Sequence, residues 1–244
     1  LGPFGLMNLT GPPIALHSTD YLAEQLRTPR YTGAQNLRNL IEANEQWDVS
    51  GDESYTPEQY TVIAERLYGV VFGVAAQIVE EGVCSMEDVD RGAKVGLRWA
   101  RGPFEMMNRV GIQEAHRMAQ DYAKLCSKSD EHQVWRVPEF FTQQSDLNKL
   151  WNFSYVDVSK ESGVATLTIN RPEAMNALNE TVVGQLNDAL DEVNADESVH
   201  TVVLDGAGKA FVAGADVKFF VDKIRADAIP DIVTFTADGH TMLN

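Results

Sequence analysis

The sequence predicts an all-α region made of two repeated helical units, the first incomplete, followed by a partial α/β domain. Three observations carry this reading. A segment recurs 100 residues on: Gly2-Pro3-Phe4-Gly5-Leu6-Met7-Asn8 returns as Gly102-Pro103-Phe104-Glu105-Met106-Met107-Asn108. Gly11 matches Gly111, Ala15 matches Ala115, and Asp20-Tyr21 matches Asp121-Tyr122 after a one-residue slip, so two copies of one unit are present. Apolar residues between Val62 and Val79 fall at helical spacing. Beyond residue 153 the pattern changes to strand, helix, strand, helix, which implies right-handed crossovers in an α/β unit.

The boundaries follow from these patterns. Residues 1–51 read as the rear of the first unit and 52–127 as the second. Residues 128–153 read as a linker and 154–244 as the α/β part. In the second unit, Thr56-Pro57-Glu58 supplies a cap and a proline at the first helical position. Val62, Ile63, Leu67, Val70, Val74 and Ile78 then mark the apolar face of one long helix that Gly82 ends. Ser85 caps a shorter helix with Glu87-Asp88 in its first turn. Gly102-Pro103 breaks the chain, and a third helix runs to about Cys126. The polar segment starting Ser127-Lys128-Ser129-Asp130-Glu131 reads as a loosely packed linker. Ser154–Ser159 and Gly163–Asn170 are strand-like, and 180–194 is helical through Val183, Leu186, Leu190 and Val193. Thr201–Leu204 reads as a buried strand, followed by a glycine-rich turn and a short helix from Ala215.

Composition narrows the function classes. A formal net charge of −16 argues against a nucleic-acid partner and requires that any phosphate-bearing ligand be held by local groups. The longest near-apolar stretch, Gly69 to Val79, is interrupted by Gln77 and falls short of the ~18 residues of a membrane helix, so no membrane span is expected. Leu1-Gly2-Pro3-Phe4 has no basic leader, and with the end at Met242-Leu243-Asn244 the chain reads as an internal piece of a longer one. Cys84 and Cys126 form neither a disulfide framework nor a metal site, which suggests a reducing, cytoplasmic compartment. His17, His116, His132, His200 and His240 are scattered without ligand spacing, and no metal is assigned.

Two groups of motifs carry chemistry. Arg66-Leu67, Glu80-Glu81-Gly82-Val83-Cys84-Ser85, Glu87-Asp88-Val89-Asp90 and Gly102-Pro103-Phe104-Glu105 together resemble the C-terminal domain of 3-hydroxyacyl-CoA dehydrogenases, and residues 2–50 resemble the rear of the same domain. The resemblance implies an NAD-binding domain upstream, helical domains that close over the substrate, and a homo-oligomer formed through them. Nothing here matches the family's Gly-x-Gly-x-x-Gly fingerprint. The family's catalytic Asn precedes an Arg-Leu, where this chain has Glu65. A carboxylate cannot do the neutral amide's work, so the second copy is expected to be structural and the first to be the active one.

Ala210-Phe211-Val212-Ala213-Gly214-Ala215-Asp216, preceded by Asn170-Arg171-Pro172-Glu173-Ala174-Met175-Asn176-Ala177-Leu178-Asn179, resembles the crotonase superfamily over residues 154–244. The chain then joins dehydrogenase repeats to a crotonase-like (ββα) partial domain, as in fused β-oxidation enzymes. The resemblance implies a fatty-acyl-CoA substrate and an enolate met by backbone N–H groups, the first from Ala215. The small residues Ala213, Gly214 and Ala215 let a thioester approach, and the following helix adds its dipole. Ala174, Met175, Asn176 and Ala177 match the loop that holds adenine and pantetheine. Asp216 is assigned to the same ligand site, and Lys218 matches a position that approaches CoA phosphate. Glu173, often basic in relatives, is acidic here, which weakens phosphate binding at that spot. The second donor and the two hydration glutamates are expected beyond Asn244, so the chain alone is expected to be inactive. The implied activity is hydration of trans-2-enoyl-CoA followed by NAD-dependent oxidation of the (S)-3-hydroxyacyl-CoA. Two alternatives stand beside it: a non-catalytic oligomerisation and inter-domain scaffold, and a crotonase-superfamily reaction other than hydration.

Overall fold

The computed structural model describes residues 2–51, 54–127 and 134–242. Leu1, the first part of the expected linker with His132, and Leu243-Asn244 lie outside the described residues. The chain divides into two compact units, Leu1–Trp151 and Asn152–Asn244.

The first unit is helical: α1 (Pro3–Thr10), α2 (Pro12–Gln25), α3 (Gln35–Glu42), α4 (Pro57–Glu80), α5 (Met86–Gly96), α6 (Pro103–Val110), α7 (Ile112–Ser127) and α8 (Glu139–Asp146). Thr56 closes a full capping box with Gln59 at the start of α4, and Ser85 accepts the Asp88 N–H at the start of α5. The expected third helix is two. Gly111, at φ 100°, breaks it between α6 and α7, as Gly11, at φ 95°, breaks α1 from α2. That backbone region is readily open only to glycine, so both copies keep one there.

The repeat extends further than the sequence match. Asn8 Nδ2 donates to the Trp47 carbonyl (2.7 Å) and Asn8 Oδ1 accepts the Trp47 N–H (3.0 Å). Asn108 makes the same pair of bonds to Trp151, at 2.9 and 2.7 Å. Phe4 packs on Trp47 and Phe104 on Trp151, with ring centroids 4.8 and 5.3 Å apart. The second copy therefore runs to Trp151, with α8 in the place of α3. Over the described part, 134–151, this corrects the loose linker expected at 128–153. Within it Phe141 is fully buried and Trp151 nearly so, because they fill the core under α6 and α7.

The copies differ in what covers them. Phe104 and Met107 are fully buried against the α4–α5 layer, whereas Phe4 is 48 % exposed. Among the described residues nothing equivalent to α4 and α5 lies over α1. Asp90, itself buried, accepts the Phe104 and Glu105 N–H groups at 2.8 and 2.9 Å, satisfying the first turn of α6. A Cβ at Gly102 would collide with the Asp90 side chain, so glycine permits this close approach.

Helix α4 also corrects an expectation. Counting uninterrupted apolar runs missed that its 24 residues, taken as a helix with scattered polar positions, are long and apolar enough to cross a membrane. In this fold its C-terminal half packs on α7, with Phe72, Ala75 and Ala76 buried.

The second unit holds β1 (Val156–Glu161), β2 (Val164–Ile169), α9 (Glu180–Asn194), β3 (Thr201–Gly206), α10 (Val217–Arg225) and α11 (Ile229–Met242). Strands β1 and β2 form an antiparallel hairpin through Ser162-Gly163, both at positive φ, the geometry of a type I′ turn. Strand β3 pairs parallel to β2, with Val164 opposite Thr201 and Ile169 opposite Gly206. Ala165, Leu167 and Ile169 form the buried face of β2, against Val182, Leu186 and Val193 of α9. β1 begins two residues later than expected. β3 is alternately exposed rather than buried, because it is an edge strand of the three-stranded sheet. α10 begins at Val217 rather than Ala215, since Asp216 caps it.

Candidate functional site: a clamped turn with an uncommitted amide

The turn after β3 leaves the sheet at Gly206, where a Cβ would strike the Ala210 and Phe211 carbonyls. The chain then runs back parallel to the loop that follows β2. Ala213 N–H donates to the Met175 carbonyl (3.1 Å), Leu178 N–H to the Gly214 carbonyl (2.9 Å) and Asp216 N–H to the Leu178 carbonyl (2.8 Å). Leu178 and Ala215 form an isolated parallel bridge. In this pattern the Ala215 N–H faces away from the loop, and no described residue accepts it. Ala213, Gly214 and Ala215 are all exposed. Gly214 sits at φ 124°, a conformation that a side chain would strain.

Asn176 locks loop to turn. Its side chain is fully buried, Oδ1 accepting the Arg171 N–H (2.8 Å) and Nδ2 donating to the Ala207 and Ala210 carbonyls (2.9 and 2.7 Å). Met175 and Asn176 both adopt left-handed φ, 50° and 56°, a geometry that Asn tolerates and that the clamp imposes on Met. This turns the Met175 side chain outward, 62 % exposed.

A second tie is ionic. Arg171 Nη1 donates to Asp216 Oδ2 (2.8 Å) and to the Ala177 carbonyl (3.1 Å), and its guanidinium lies over the Tyr155 ring. Burial works to raise the Asp216 pKa, but the Arg171 guanidinium and the Lys218 and Phe219 N–H groups outweigh it and hold the carboxyl below its ordinary value.

Each expected ligand residue can now be placed. Ala174, Met175 and Ala177 line the loop, and Ala213, Gly214 and Ala215 form the facing turn. Asn176 and Asp216 belong to the same place, but their side chains and their N–H groups are spent on protein groups. Lys218 is exposed on the first turn of α10, its N–H bonded to Asp216 Oδ1. Sequence reasoning missed Arg171 and Tyr155 as structural members of the site. An Asp immediately before an apolar-periodic helix is a capping signal that could have indicated the role of Asp216.

The helical unit is built from a repeat, and the α/β unit presents an exposed backbone amide rather than a reactive side chain. Two segments of the chain match two families. Residues 62–150 match the 3-hydroxyacyl-CoA dehydrogenase C-terminal domain, and residues 164–243 match the enoyl-CoA hydratase/isomerase family. The chain thus joins a dehydrogenase-type helical domain to crotonase-type sequence. Similar curated proteins include a probable enoyl-CoA hydratase from Mycobacterium bovis, 40 % identical over 33 % of this chain and 29 % of its own length. A crotonyl-CoA hydratase from Syntrophomonas wolfei is 44 % identical over 28 % of this chain and 26 % of its own. A 1,2-epoxyphenylacetyl-CoA isomerase from Escherichia coli is 44 % identical over 23 % of this chain and 22 % of its own. The chain therefore spans less than a third of the length of these relatives.

Proposed function

We propose that the protein acts in fatty-acyl-CoA β-oxidation, hydrating a trans-2-enoyl-CoA and oxidising the resulting (S)-3-hydroxyacyl-CoA with NAD. The joining of the two family segments in one chain supports this reading, because the product of the first reaction is the substrate of the second. In this reading NAD is held by sequence other than the two matched segments, and the helical unit mediates assembly of a homo-oligomer. Residues 154–242 contribute one oxyanion donor, the Ala215 N–H, with the CoA moiety lying along the loop at Ala174, Met175 and Ala177 and its phosphate near Lys218.

The observation that carries the proposal is the exposed Ala215 N–H, held in place by the clamps on both sides of it and accepted by no described residue. A donor fixed before the ligand arrives costs no reorganisation when charge develops on the thioester oxygen. One donor is enough to bind and polarise a carbonyl. The 244-residue chain is therefore expected to bind crotonyl-CoA without turning it over.

The test is infrared difference spectroscopy of carbonyl-labelled crotonyl-CoA added to the chain. The thioester band is expected to move to lower frequency on binding. Ala215→Pro removes the N–H at a position where it bonds no described residue, and is expected to abolish the shift and weaken binding by about 0.5–1.5 kcal/mol. An equal shift in the variant refutes the role of this amide.

A further inference from the structure

Asp216 follows Ala215 directly, so a carboxylate sits one residue from the amide that would meet a thioester oxygen. Adjacent Cα atoms lie about 3.8 Å apart. A negative charge at that range opposes charge developing on the oxygen. Burial works against the ionised form of Asp216, but the Arg171 guanidinium and the Lys218 and Phe219 N–H groups outweigh it, so the carboxylate keeps its charge at neutral pH.

Asp216 also takes up the field of helix α10. Its Oδ1 accepts the Lys218 N–H at 3.0 Å as the N-cap. The positive end of the helix is thereby neutralised by Asp216 rather than offered to a ligand, which cancels much of the dipole that the sequence led us to expect at the thioester. A compensating positive charge has to come from another residue.

Arg171 is placed to supply it. Its Nη1 lies 2.8 Å from Asp216 Oδ2, and the two side chains are only 18 % and 15 % exposed, so water and salt screen this pair less than a surface pair. The guanidinium is also held independently of Asp216. It donates to the Ala177 carbonyl at 3.1 Å, and its Cζ lies 5.6 Å from the centre of the Tyr155 ring. Gln185 fixes that residue in turn, accepting the Tyr155 N–H at 2.7 Å and donating to the Phe153 carbonyl at 2.6 Å. Asn176 and the backbone bonds from Ala213, Leu178 and Asp216 already fix the turn, so the ion pair adds charge as well as a tie.

We propose that Arg171 is a positioning residue for the Ala215 amide, one that acts by cancelling the Asp216 charge beside the developing oxyanion. The charge balance follows from the turn itself, and its use on a thioester rests on the function proposed above.

The test reads the amide first without a ligand. In base-catalysed hydrogen exchange, hydroxide removes the amide proton and leaves a transient anion on the peptide group. The exchange rate of the Ala215 N–H therefore reports the field that an oxyanion would feel. Exchange is followed by NMR on the full 244-residue chain. Arg171→Met is expected to slow exchange at Ala215 roughly fivefold, and Arg171→Met/Asp216→Asn to restore the wild-type rate. A merely loosened turn would speed exchange in Arg171→Met, the opposite sign. Asp216→Asn alone keeps a capping side chain and is expected to speed exchange roughly fivefold, a result that decides the matter even if Arg171→Met does not fold. A double variant as slow as Arg171→Met overturns the proposal, and so does an Asp216→Asn rate at or below that of the wild type. The carbonyl band of bound crotonyl-CoA is expected to follow the same order, its shift smaller in Arg171→Met and recovered in the double variant. A band shift lost in Ala215→Pro but equal in all the Arg171 and Asp216 variants keeps the proposed function and removes the role of Arg171. No band shift in the wild type overturns the proposed function, and with it the use made of Arg171 there.

Discussion

Burial pushes the Asp90 carboxyl up to about 6, although the Phe104 and Glu105 N–H groups work to lower it. Its folded pKa therefore lies above its unfolded value near 3.8. A raised pKa means that the folded state binds the proton more tightly. The contribution is fully present below pH ~3.8 and is lost as pH rises through about 6, roughly 3 kcal/mol at most. His116, whose pKa burial lowers, gives the opposite slope in the same range, so the comparison must isolate Asp90. Thermal unfolding of wild type and Asp90→Asn between pH 4 and 7 is expected to show the wild type losing stability relative to the variant as pH rises. A difference independent of pH contradicts the assignment. Asp90 was visible in the sequence only as part of a motif. That it reaches backbone groups 14 and 15 residues on is a tertiary fact. The same holds for Asn176, legible in the sequence as part of a motif but not as the clamp it forms. A side chain's partner across the fold is not encoded in local periodicity.

At the scale of elements, the packing of α4 on α7 depends on a close crossing at Gly69. A Cβ there would collide with the Met118 carbonyl and the Tyr122 side chain, whereas at Gly73, one turn on, it would meet nothing. Gly69→Ala is expected to destabilise the helical unit by about 1–3 kcal/mol, through helices forced apart. Gly73→Ala is expected to stabilise it by about 0.5–1 kcal/mol, through helix propensity. Urea midpoints of the two variants check this, and a shift of the same sign in both refutes the crossing. Helices α4, α5 and α9 were legible because their periodicity and caps agree with one another. The break at Gly111 and helix α8 were not. A lone glycine inside an apolar pattern does not announce its φ, and α8 has a polar composition that only its buried face, at Phe141 and Ser145, redeems.

For the whole molecule, the net charge of −16 implies self-repulsion that salt screens. Melting temperature is expected to rise by several degrees between 0.05 and 1 M KCl, as the screening length contracts to about 3 Å. A fall across that series contradicts it. The sequence by itself determined the repeat, the all-α and α/β halves, and the turn from which a backbone amide is offered. These depend on residue type, periodicity and capping, which are local properties of the chain. Only the tertiary structure decided that the repeat closes on Trp47 and Trp151 and that Asn176 and Arg171 hold the turn. Those arrangements arise from side chains that meet across space, and packing rather than spacing selects them.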